Sequence, residues 1–138
     1  MISGEFDLSI GSLIGFSSMS LTLLTVETNL TMPVASLITL IMVLIIGYYN
    51  GITVVKSGLP SFIITLGSLF MIRGFTIAIS KIITGRTQIG GIEESKGFNI
   101  MSSVFSNHLI IAGTNFPISI FWWMLFGVLG YFLFKMKF

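Results

Sequence analysis

Cysteine is absent from the 138 residues of this chain, which excludes disulfides and cysteine metal sites and leaves the redox compartment unmarked. Charge is nearly as scarce, at 9% of residues. A soluble domain carries about a quarter of its residues as charged types. A chain this poor in charge cannot cover a surface that faces water. Its net charge of +2 is too small and too scattered to attract nucleic acid. No glycine-rich loop ends in Gly-Lys-Ser/Thr, so nucleotide binding of that kind is excluded. No histidine cluster or nucleophile–base pair offers catalysis. The one histidine, His108, reads as a polar loop residue, and "NLT" at 29–31 is a sequon of the sort that arises by chance. The first residues hold acids instead of lysine or arginine, so no secretory signal is visible.

What is abundant is apolar surface. Hydrophobic residues make up 54% of the chain and the mean hydropathy is +1.01. Four runs stand out, at about 8–26, 30–55, 59–79 and 116–134. Each approaches or exceeds the roughly 20 residues that an α-helix needs to cross a bilayer. Lipid offers no partner to a free backbone group, so helices are the expected spanning form. The runs do not alternate, which argues against a transmembrane barrel. The expected architecture is all-α and integral to the membrane, one transmembrane domain over 1–138 with about four spans. Pro33, Pro60 and Pro117 lie near the starts of runs, where a missing N–H costs least.

Orientation follows from the short connections. Lys56 lies between the second and third runs, and Lys135 and Lys137 follow the fourth. Positive charge favours the cytoplasm, which places the link at about 80–115, with Glu93 and Glu94, outside. Lys81, Arg86 and Lys96 in that link run against the rule, and the short loops are given more weight. Trp122, Trp123 and Tyr131 near the two ends of the fourth run, and Tyr48 and Tyr49 near the inner end of the second, suit the headgroup level. Within the link, "IMSSVFSNHLIIAG" is expected to form a short interfacial or re-entrant helix.

The opening of the chain sets acid beside small residues. Glu5 and Asp7 precede a helix-period stripe of Gly11, Gly15, Ser18, Thr22 and Thr25, with leucine and isoleucine elsewhere. Helices in lipid meet through small residues that let backbones approach. Gly11 with Gly15, and Gly47 with Gly51, are therefore expected at close helix contacts. Asp7 is either an interfacial charge favoured by a helix start or a carboxylate facing a bundle interior or water. Arg73, in the outer half of the third run, either faces a wet cavity or snorkels outward. It is too far along its helix for an ion pair with Asp7.

"GEFDLSIGS" at 4–12 resembles the Gly-x-x-Asp-Leu-Ser-x-Gly-Ser signature of ABC-importer permeases for ribose and related monosaccharides. "YYNG" at 48–51 is similar to the motif that ends the next helix in that family, and "LPSFIITLGSLFMIRG" at 59–74 to the stretch after it. "TGRTQIGGI" at 84–92 resembles an external segment, and "FLFKMKF" at 132–138 the basic end of the helix before the cytoplasmic coupling region. Five landmarks in order span nearly the whole chain. The resemblance implies part of a larger polytopic permease, multi-pass in the bacterial plasma (inner) membrane. Its cargo would be a small polar solute, a monosaccharide such as ribose, moved by alternating access. It would need no cofactor of its own. ATP would be bound by a separate ABC ATPase subunit, and solute delivered by a solute-binding protein on the outer side. A second permease copy or paralogue would complete the path.

In that family helices precede the signature, and beyond the position of Phe138 come a cytoplasmic loop that docks on the ATPase and further spans. The chain is therefore expected to be a middle fragment or a truncated product. The resemblance also makes Asp7, Ser9, Ser12, Asn50 and Arg73 candidates for the translocation path. Alternative cargoes are a nucleoside, a signalling sugar or a branched-chain amino acid. A rival from another class is a membrane scaffold that transports nothing.

Overall fold

The computed structural model describes residues 6–111 and 114–135. Glu5 and Lys137 lie outside the described residues. Five α-helices and one short hairpin account for most of the described residues. Helix α1 covers Ile10–Val26, α2 Met32–Ser57 and α3 Ser61–Thr84. A 3-10 turn at Ile92–Glu94 follows, then α4 at Phe98–Phe105, strands β1 (His108–Ile111) and β2 (Thr114–Pro117), and α5 at Ser119–Lys135. Both α2 and α3 are long and apolar enough to cross a membrane. With 17 residues each, α1 and α5 reach about 25 Å, less than the ~30 Å hydrocarbon core.

The chain divides into two compact units, residues 1–96 and 97–138. In the first, α1 packs against both α2 and α3, and α2 also meets α3. Pro33 occupies the first turn of α2 and Pro60 caps α3, positions where proline's missing N–H leaves no helical bond unmade. Gly58 ends α2 in the left-handed conformation, at φ +65°, and lets the chain reverse into α3. Gly85 ends α3 in the same way. The backbone N–H of Met32, at the start of α2, donates to the carbonyl of Lys96 at 2.8 Å.

The interior of this unit is small and hydroxylic, and its exterior is greasy. The buried polar residues are Ser9, Ser12, Thr25, Thr39, Ser61, Thr65 and Ser80, against Phe16, Ala35 and Ile72 as the buried apolar ones. Phe70, Met71, Leu44 and Ile82 are all largely exposed. A water-soluble domain would reverse this arrangement. Lipid tails are as apolar as leucine, so leucine gains nothing by moving inward, and small residues take the contacts instead.

In the second unit, β1 and β2 pair antiparallel, with His108 opposite Pro117. The expected helix through 100–113 stops at Phe105. Asn107 ends it: its side-chain oxygen accepts the N–H of His108 at 2.8 Å, and the chain continues extended into the β-branched Ile110 and Ile111. Pro117 does not start a helix. It closes β2, and a two-stranded sheet has only edges, where proline is tolerated. The first turn of α5 follows at Ser119. Trp122 stacks on Phe105 with ring centroids 5.0 Å apart and donates its indole N–H to the Val104 carbonyl at 2.9 Å.

Candidate functional site

Three helices contribute to one chain of hydrogen bonds. A carboxylate oxygen of Asp7 accepts both the backbone N–H of Ser9, at 2.8 Å, and the Ser9 hydroxyl, at 2.6 Å. The first of these closes an Asx-turn immediately ahead of α1. A carboxylate only accepts, so the Ser9 proton points at Asp7 and the Ser9 oxygen must itself accept from elsewhere. Asn50 of α2 meets that need by donating its amide N–H at 3.1 Å. The other end of the amide accepts the Ser68 hydroxyl of α3 at 2.7 Å. Ser68, Asn50 and Ser9 thus donate in one direction, toward the carboxylate of Asp7. Ser9 is fully buried, while Asp7 reaches the surface.

The segment ahead of α1 is tied to α3 as well. Thr65 accepts the Leu8 N–H at 3.1 Å, and the Ser61 hydroxyl donates to the Phe6 carbonyl at 3.0 Å. Ser61, Thr65, Ser68 and Ile72 recur at steps of four, three and four, so they form one stripe that faces α1 and α2. Ser12, on the same side of α1 as Ser9, donates to the Ser9 carbonyl at 2.7 Å.

Arg73 stands apart from this network. It is exposed and lines a cleft of about 680 Å³ together with Gly11, Gly15 and Ser18 of α1 and Thr76 of α3. Thr87 and Gln88, just beyond α3, border the same cleft. Among the described residues, none of the four glycines expected at close helix contacts makes one. Gly11, Gly15, Gly47 and Gly51 are exposed, and a Cβ built on any of them would meet nothing within 4 Å. The reason is angular. Gly11 and Gly15 precede the buried Ser12 and Phe16 by one residue, and Gly47 and Gly51 follow Ile46 and Asn50 by one. One residue is about 100° around a helix, enough to carry a glycine off the packed face. Within this unit the close approach is made by serine and threonine.

The whole chain, residues 1–138, matches the family described as branched-chain amino acid transport system / permease component. It belongs to that permease family. Among curated relatives, it is 35% identical over 81 residues to the xylose transport system permease protein of Escherichia coli (strain K12), covering 59% of this chain and 21% of that protein. It is 31% identical over 123 residues to the autoinducer 2 import system permease protein of Enterobacter sp. (strain 638), covering 88% of this chain and 35% of that protein. The chain thus spans about a fifth to a third of the length of these relatives. No solved structure gives a significant match.

In this permease segment the structure brings Asp7, Ser9, Ser12 and Asn50 together and places Arg73 in the cleft, whose lining Ser12 shares. Sequence reasoning missed Ser61, Thr65 and Ser68. The signal was present in "SFIITLGS", whose hydroxyls keep helical period. Set in an apolar run, they pass for filler.

Proposed function

We propose that this permease segment forms part of the translocation path of an ABC importer, multi-pass in the bacterial plasma membrane, which moves a small polar solute. The cargo is a monosaccharide, and the carrying observation is the directional polar chain from Ser68 to Asp7, held inside a unit whose exterior is apolar. Relatives named for xylose and for autoinducer 2 support a sugar-like cargo. The path alternates its access between the two sides, with energy from a separate ATPase that binds the nucleotide and with delivery by a solute-binding protein. A second permease copy or paralogue supplies the facing wall. The segment itself makes and breaks no covalent bond.

Uptake of radiolabelled D-ribose, D-xylose and L-leucine, in cells with and without the gene and its transport partners, tests this reading. Gene-dependent uptake of a pentose is expected. The description of the family favours branched-chain amino acids as a second reading, and leucine uptake without pentose uptake would establish it. No gene-dependent uptake of any of the three would remove both readings.

A further inference from the structure

We propose that the cleft between α1 and α3 binds a neutral, polyhydroxylated solute, with Arg73 as its main hydrogen-bond donor. The inference rests on the importer reading above and adds the site and the basis of its selectivity.

The wall chemistry carries it. Ser18 donates its hydroxyl proton to the Gly15 carbonyl at 3.2 Å, and Thr76 donates its own to the Ile72 carbonyl at 2.7 Å. With those protons committed to the backbone, both oxygens offer lone pairs to the cleft. Arg73 and Gln88 supply N–H groups, five of them in the fixed fork of the guanidinium. The cleft is thus bordered by both donors and acceptors, beside the apolar Phe16, Met19, Leu69 and Ile77. A sugar hydroxyl both donates and accepts, so neighbouring hydroxyls can satisfy such a wall.

An amino acid matches this wall less well. Arg73 would take its carboxylate, but among the described residues lining the cleft no carboxylate is present to take its ammonium. Its ammonium would be left to water, so the cleft favours the neutral solute. The cleft volume of about 680 Å³ accommodates a small solute with water around it. Gly11 and Gly15 contribute room, since neither opposes another atom within 4 Å.

The experiment uses the permease co-expressed with its ATPase and binding protein, with D-xylose, D-ribose and L-leucine as probes. Membrane abundance and basal ATP hydrolysis are read beside uptake. Arg73→Gln should raise the uptake KM for the pentose about tenfold, the usual consequence of losing a charged hydrogen bond. Gly15→Leu, which fills the cleft, should remove most uptake while membrane abundance stays at the wild-type level. Pentose uptake by the wild type, with unchanged KM and rate in both variants, would overturn the site and leave the importer reading standing. Loss of abundance in Gly15→Leu would also overturn it, by making the cleft a seat for another helix. Wild-type uptake of leucine and of neither pentose would overturn the importer's sugar cargo and this inference together.

Discussion

At the scale of single residues, Asn50 is the pivot. It both donates and accepts across helices, so its loss leaves the Ser68 hydroxyl without its acceptor and the Ser9 oxygen without its donor. Hydrogen bonds between membrane helices contribute about 1 kcal/mol each, because the unfolded chain in lipid finds other partners. Asn50→Ala should therefore lower stability in mild detergent by about 1–2 kcal/mol. Ser9→Ala should cost a similar amount, and the double variant less than the sum, since both substitutions remove the same bond. Strictly additive losses in that cycle would show that the chain does not act as a unit. Asp7 is read by a different pair. Asp7→Asn keeps an oxygen for Ser9 and removes the charge, so uptake should fall while abundance holds. Asp7→Leu leaves the Ser9 N–H and hydroxyl unmet, so membrane abundance should fall too. Normal uptake with Asp7→Asn would reduce this acid to a helix-end charge.

At the scale of elements, glycine at two kinds of position predicts opposite outcomes. Gly58 sits at φ +65° at the end of α2, where a Cβ strains the backbone whatever the space around it. Gly58→Ala should destabilise the α2–α3 reversal by about 1 kcal/mol. Gly47 lies in the middle of α2 with open space beside it, and Gly47→Ala should be neutral or stabilising by up to about 1 kcal/mol. Thermal unfolding of the two variants in one detergent checks the contrast, and a destabilising Gly47→Ala would restore a packing role for that stripe. Helices α2 and α3 were legible in the sequence, because long apolar runs opened by proline have few other ways to fold. The packed faces were not. Small residues mark both a close contact and an open groove, and only the neighbouring helix decides between them. Gly15 shows this, standing one residue from the buried Phe16 and facing the cleft. Nor was the β1–β2 hairpin legible, because its apolar residues, read alone, fit an interfacial helix equally well.

At the scale of the whole molecule, the question is which end of α3 faces the cytoplasm. Its 24 residues span about 36 Å, more than the ~30 Å hydrocarbon core, so a spanning α3 puts its ends on opposite sides of the membrane. Lys56 lies in the last turn of α2, just ahead of α3, and Glu94 lies in the 3-10 turn beyond it. Both side chains are exposed. The short-connection charge rule sets Lys56 inside and therefore Glu94 outside. The chain has no native cysteine, so a single cysteine at 56 or 94 can be labelled on a clean background. On intact cells an impermeant thiol reagent should label the cysteine at 94 and spare the one at 56, which should react only after permeabilisation. Labelling of 56 alone would invert the orientation while keeping α3 as a span. Labelling of both on intact cells would place the two ends of α3 on one side, and the spanning assignment itself would fall.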